Sequence, residues 1–126
     1  MGDPVIVEAA RTPIGKRGGW LAGIIAPNLL SIVQQAVLNR SGIPPESVDQ
    51  LVGGCVTQAG QQASNVTRNA WLSADIGYTP AATTVDCQCG SGAQDLQRGL
   101  QGAAHVQHHP RSQGAARVWP EHRGPR

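Results

Sequence analysis

Three short β-prone runs alternate along this chain with segments of helical periodicity, and this alternation constrains the fold more than any other feature. The first run is almost continuously apolar, as expected of a strand covered on both faces. Because strands separated by helices are joined by right-handed crossovers, we predict a layered α/β domain of order βαβαβα with a mainly parallel sheet. The predicted strands are residues 5–10, 50–57 and 81–85, and the helical segments are residues 27–39, residues 65–74 and a segment after residue 89.

The ends of the predicted helices carry residues that favour helix starts and stops. In residues 27–39, apolar side chains recur every three or four positions along one face. Pro27 suits the first turn of this helix, and Gly42 suits the left-handed residue that ends it. The second helix has Ser64 or Asn65 as its predicted N-cap, because both side chains can accept a hydrogen bond from the first turn.

Cys89 lies where the third predicted strand gives way to a helix, and it is followed by Gly-Ser-Gly. Helix N-termini favour a thiolate, and functional groups in parallel sheets gather at the carboxyl ends of strands. Cys89 is therefore the candidate catalytic nucleophile. The alternative is a buried structural role as a small hydrophobic residue, which is the role we expect for Cys55 inside the second run.

Four short blocks occur in a fixed order along the first three quarters of the chain. They are residues 5–16, 52–60, 65–70 and 89–92. In this order they resemble the opening strand with its Arg-Thr-Pro turn, the second strand and loop, the next helix with its arginine, and the Cys-x-Ser-Gly nucleophile motif of the thiolase family. The resemblance extends from about residue 4 to residue 94. A β-ketoacyl synthase-like protein shares the broad fold, but the Arg-Thr-Pro and Cys-x-Ser-Gly motifs favour a thiolase.

The resemblance implies acyl transfer between a 3-ketoacyl-CoA and CoA through a thioester on Cys89, with CoA as co-substrate and no bound cofactor. In the family, a histidine in a Gly-His-Pro motif and a cysteine in a Cys-x-Gly-Gly motif handle the protons. Neither motif occurs in this sequence. We therefore expect residues 1–94 to be a truncated thiolase N-terminal domain that is inactive alone.

The alternative to an enzyme is a non-catalytic remnant that associates with a full-length thiolase or is degraded. Half of a layered fold exposes strand edges and apolar faces, which promote association. The expected partners are an acyl-CoA substrate and thiolase subunits, as a homo- or hetero-oligomer.

Residues 95–126 differ in composition from the rest of the chain. They hold five Arg and two acidic residues, no Lys, and all four histidines, whereas residues 1–94 hold five basic and six acidic residues. We predict that this segment is a disordered basic tail outside the family, produced by out-of-frame translation of GC-rich DNA. The alternative is an arm that binds nucleic acid or an anionic membrane, but its charge is sparse and its aromatic content is limited to Trp119.

The remaining features concern location and ligands. No apolar run is long enough to span a membrane, and three cysteines do not make a disulfide framework, so we predict a cytoplasmic protein without nucleic-acid or membrane partners.

A metal site would need the Cys87 and Cys89 pair plus two tail histidines, and we predict none. The loop with Lys16 and Arg17 could hold a CoA phosphate or pack against a neighbouring subunit, so the cofactor-binding residues are unknown.

Overall fold

The computed structural model of the chain describes the backbone of residues 4–106 and the side chains of residues 4–99. Its helices and strands, in chain order, are α1 (Ala26–Ser41), β1 (Gln50–Gly54), α2 (Val66–Ser73), β2 (Ala81–Val85) and α3 (Ser91–Val106), with short 3-10 turns at Pro45–Ser47 and Gly60–Gln62. The two strands are parallel, with Gln50 beside Ala81 and Gly54 beside Val85. The predicted α/β class is confirmed, and α2 lies in the crossover connection between the two strands.

The strand predicted for residues 5–10 is not formed. The segment has no regular secondary structure, and Val5, Ile6 and Val7 are 75%, 72% and 64% exposed. It lines a cavity of about 650 Å3 together with Gln50 and Val52 of β1. An apolar run becomes a strand only when a neighbouring strand supplies its hydrogen-bond partners. In the described residues the segment pairs with no strand, and the sheet consists of β1 and β2.

The ends of the first two helices follow the sequence signals. Pro27 lies in the first turn of α1, and Gly42 ends that helix with a left-handed φ of 66° and an N–H donated to the Leu38 carbonyl. The Asn65 side chain caps α2 by accepting a hydrogen bond from the Arg68 N–H at 3.1 Å. The side chain of Arg68 is exposed.

The apolar core of the described residues lies where α2 faces the sheet. It consists of Val66, Ala70, Trp71 and Val85, each less than a tenth exposed. α2 also packs against α1, and α3 packs against β1. The Gln34 side-chain amide of α1 donates to the Thr67 carbonyl of α2 at 3.2 Å, which adds a polar link between these two helices.

The last helix continues past residue 94, where we predicted the domain boundary. α3 runs to Val106 with Gly99 and Gly102 inside it. The boundary at residue 94 stays a prediction, and the predicted character of residues 107–126 lies outside the described residues. Within residues 4–106, no helix is both long and apolar enough to cross a membrane.

Candidate active site

The turn between β2 and α3 carries the candidate nucleophile. β2 ends at the buried Val85, and α3 begins six residues later at Ser91. Two backbone hydrogen bonds fold the connection tightly: Gly90 N–H donates to the Cys87 carbonyl at 3.0 Å, and Ser91 N–H donates to the Gln88 carbonyl at 3.1 Å. Gln88 has a left-handed φ of 52°, which is uncommon for a residue with a side chain.

Ser91 ties this turn to the start of α3. Its buried hydroxyl accepts a hydrogen bond from the Cys87 N–H at 3.0 Å and donates one to the Gln88 carbonyl at 2.7 Å. In the sequence Ser91 stands out only as part of the Cys-x-Ser-Gly motif. A serine at the start of a helix is a common capping signal, and this signal could have identified it.

The end of β1 lies beside the same turn. Cys55 N–H donates to the Val85 carbonyl at 2.9 Å, so the carboxyl ends of both strands lie side by side. A Cβ atom added at Gly54 would lie 2.6 Å from the Ser91 carbonyl carbon and 2.7 Å from its oxygen. Only glycine fits at this close approach, which sets the start of α3 directly against β1.

Cys89 is exposed and lies inside the turn, one residue past Gln88 and two before α3. This is the strand-to-helix junction at the carboxyl edge of the sheet where the sequence pattern placed it. An exposed thiol between a parallel strand and a helix N-terminus is accessible to a substrate, in contrast to a buried structural cysteine. Its catalytic role stays a prediction.

The predicted strand 50–57 would place Cys55 in the middle of a strand. In the structure β1 ends at Gly54, and Cys55 lies just beyond it. The ladder ends at Gly54 because its partner Val85 is the last residue of β2. The Cys55 thiol is half-buried, and its single S–H has two acceptors within reach, the Thr57 carbonyl at 3.5 Å and the Gln62 side-chain oxygen at 3.7 Å. The expected role was that of a buried small hydrophobic residue; the thiol is half-buried beside polar groups, and the role of Cys55 stays a prediction.

The glycine-rich basic loop lies away from regular structure. Gly19 N–H closes a turn onto the Lys16 carbonyl at 2.9 Å, and the side chains of Lys16, Arg17 and Trp20 are exposed. Between this loop and the turn that carries Cys89, residues 4–99 form no hydrogen bond. The choice between a phosphate site and a subunit contact therefore stays open.

No group of three or more His, Cys, Asp or Glu side chains suited to a metal ion occurs in the described part of the chain. The side chains of the four histidines, His105, His108, His109 and His122, all lie outside that part.

Comparison of the chain with known proteins identifies the class of protein to which this fold, with its exposed thiol at a strand-to-helix turn, belongs. The family described as "Thiolase, N-terminal domain" matches residues 4–108. The chain belongs to the thiolase family. The match extends past residue 94, where the resemblance was expected to stop.

Two named relatives are similar to the chain over most of its length. It is 41% identical over 101 residues to the steroid 3-ketoacyl-CoA thiolase FadA6 of Mycobacterium tuberculosis, which covers 80% of the chain and 25% of the relative. It is 45% identical over 92 residues to an acetyl-CoA acetyltransferase of Cupriavidus necator, which covers 73% of the chain and 23% of the relative. The chain thus spans about a quarter of the length of these relatives.

A solved structure agrees with the sequence comparisons. The crystal structure of the Bacillus anthracis acetyl-CoA acetyltransferase is similar with a TM-score of 0.60 and 31% identity, over 66% of this chain and 21% of that one.

Proposed function

We propose that this chain provides the nucleophile of a thiolase-type acyltransferase, which transfers an acyl group between a 3-ketoacyl-CoA and CoA. The observation that carries the proposal is the exposed Cys89 thiol at the carboxyl edge of the parallel sheet, in a chain of the thiolase family. The substrate class agrees with the names of the relatives from M. tuberculosis and C. necator.

The proposed reaction has two steps. The Cys89 thiolate attacks the 3-keto carbon, the bond between C2 and C3 breaks, and the acetyl-CoA carbanion that leaves takes up a proton. The thiolate of a second CoA then attacks the resulting thioester, releases the shortened acyl-CoA and returns Cys89. CoA is therefore a substrate in this scheme. The backbone N–H of Cys89 is our candidate donor to the oxyanion that forms in both steps.

Two proton-transfer groups are needed besides the nucleophile: a base that generates the thiolate and an acid that protonates the carbanion. The sequence contains no Gly-His-Pro and no Cys-x-Gly-Gly motif to supply them. We propose that these groups belong to a second thiolase half, and that the 126-residue chain alone forms the acyl-enzyme slowly and does not turn over. Loss of such groups costs several orders of magnitude in rate.

Trapping the acyl-enzyme tests the proposal without requiring turnover. The full chain is incubated with acetoacetyl-CoA, digested with trypsin just below neutral pH, where the thioester survives and trypsin keeps part of its activity, and analysed by mass spectrometry. Cys87 and Cys89 fall in the tryptic peptide 69–98 and Cys55 in the peptide 41–68, so the digest separates Cys55 from the turn. Fragmentation then distinguishes Cys87 from Cys89.

We expect the acetyl group on Cys89, its loss in Cys89→Ala and its retention in Cys55→Ser. Equal acetylation of all three cysteines, as in non-enzymatic exchange, would contradict the proposal. In a thiolysis assay of the same preparations, turnover by wild type that disappears in Cys89→Ala would show that the chain is an enzyme by itself.

The alternative, a non-catalytic chain that associates with a full-length thiolase, is favoured by the large apolar side chains exposed in the described part of the chain. Ile14 and Trp20 are 95% and 101% exposed, in addition to residues 5–7. Light scattering of the chain alone, and after mixing with a full-length thiolase, measures this association. A monomer that does not bind the thiolase would contradict it.

We also propose a cytosolic location, because all three cysteines are free thiols.

A further inference from the structure

A second thiol accompanies the candidate nucleophile on the same turn. Cys87 and Cys89 are both free and exposed, and only Gln88 separates them. The thiol of Cys87 has no part in the acyl transfer proposed above. The relationship between the two cysteines is therefore a separate feature of the site.

The backbone of the turn brings the two cysteines close together. Residues two apart have Cα atoms at most about 7.6 Å from one another when the chain is fully extended. Here the chain is bent, since Gln88 has a left-handed φ of 52° and the Gly90 N–H bonds back to the Cys87 carbonyl. A disulfide requires Cα atoms roughly 4.4–6.8 Å apart, a range that a bent three-residue segment reaches.

We propose that Cys87 and Cys89 form a reversible intrachain disulfide when the chain meets a low-molecular-weight disulfide such as glutathione disulfide. The Cys89 thiolate attacks one sulfur of glutathione disulfide, whose S–S bond breaks and releases one glutathione thiolate. The Cys87 thiolate then attacks Cys89 Sγ in the mixed disulfide, forms the intrachain bond and displaces the second glutathione thiolate. Two electrons pass from the two protein thiols to the oxidant, and the two thiol protons are taken up by the two glutathione thiolates.

The disulfide is readily reduced, for two physical reasons. It closes a loop of only three residues, so it removes little conformational entropy from the unfolded chain and adds little stability. It is also exposed, which allows thiols to attack it. Its consequence for acyl transfer depends on the proposed function: with Cys89 oxidised, no thiolate is left to accept an acyl group, and reduction restores it.

The experiment equilibrates the full chain with glutathione buffers of rising oxidised fraction, blocks free thiols with an alkylating reagent and digests with trypsin without reduction. We expect the peptide 69–98 to become lighter by two hydrogen atoms and to escape alkylation, while Cys55 in the peptide 41–68 stays alkylated. Cys55→Ser should behave as wild type. Cys87→Ser should stop at the mixed disulfide and carry one glutathione on Cys89.

The turn itself is tested by repeating the titration in a denaturant. We expect the Cys87–Cys89 pair to be half oxidised at a certain oxidised fraction of glutathione, and this fraction should be severalfold lower for the folded chain than for the unfolded chain. The reason is that the turn already holds the two cysteines near one another. A wild-type chain that keeps a stable glutathione adduct, or that pairs Cys55 with Cys89, would overturn the proposal. Since the readout is mass and not activity, the disulfide can be confirmed even if Cys89 proves not to be a nucleophile in acyl transfer.

Discussion

The hydroxyl of Thr67 on α2 lies 2.8 Å from the hydroxyl of Thr84 on β2. Thr84 uses its only hydroxyl hydrogen to donate to the Asn65 side-chain oxygen at 2.7 Å, so in the pair of threonines Thr67 is the donor. The Asn65 amide in turn donates to the Ala82 carbonyl at 2.8 Å. Three polar side chains thus fix the start of α2 to β2, the strand that leads to Cys89.

Asn65→Ala should destabilise the chain by about 2–3 kcal/mol, because it removes the α2 cap and leaves the Ala82 carbonyl and Thr84 hydroxyl with fewer partners. Chemical denaturation of the full chain measures the free energy of unfolding. The matched control is Asn69→Ala, at an exposed position of the same helix, where we expect a change within about 0.5 kcal/mol. Equal effects at the two positions would contradict this role of Asn65.

Gly53→Ala should destabilise the chain by about 1–3 kcal/mol through overpacking. A Cβ atom at Gly53 would overlap the Thr67 hydroxyl and lie 3.1 Å from the Thr67 methyl carbon. Residues in contact couple energetically, so the same substitution should cost less in a Thr67→Ala background. A double-mutant cycle on the free energy of unfolding measures the coupling, and strictly additive costs would show that the clash does not occur.

Gly54→Ala should both destabilise the chain, by about 1–3 kcal/mol, and slow the acylation of Cys89. The added methyl would meet backbone atoms of Ser91, which cannot rotate away, so the start of α3 must shift. The control is Gly92→Ala, where nothing lies within 4 Å of the added carbon. Alanine should stabilise α3 there by up to about 1 kcal/mol. Opposite signs in the two unfolding curves are the expected result.

Trp71→Phe should cost about 1–2 kcal/mol, because the indole N–H donates to the Tyr78 carbonyl and phenylalanine leaves that carbonyl without this partner. Trp71 is 3% exposed, whereas Trp20 is 101% exposed. Trp20→Phe is therefore the matched control and should leave the free energy of unfolding unchanged. The prediction is wrong if Trp71→Phe and Trp20→Phe change the free energy of unfolding by the same amount.

The origin of the end of the chain can be tested on the coding DNA. If residues 95–126 arise from out-of-frame translation, an alternate frame after codon 94 should encode a thiolase-like continuation of the helix. The family match to residue 108 makes the codons near that position equally important to inspect. A search of all frames that finds no such continuation would reject the hypothesis.

Local sequence was sufficient for features whose cause lies within a few residues. Pro27 and Gly42 mark the two ends of α1, and Asn65 caps α2, because caps and stops depend on neighbouring backbone groups. The same holds for β2 and for the position of Cys89 in the turn that follows it. The family resemblance also followed from short ordered motifs, which need no knowledge of packing.

Features that depend on distant partners required the folded chain. Residues 5–10 have the composition of a strand but form none: a strand needs another strand to pair with, and in the described residues these residues pair with neither β1 nor β2. β1 stops at Gly54 since its partner Val85 is the last residue of β2, which leaves Cys55 outside the ladder. The contact of Gly54 with Ser91 joins residues far apart in sequence. No local propensity encodes such a contact, because its energy comes from atoms that only folding brings together.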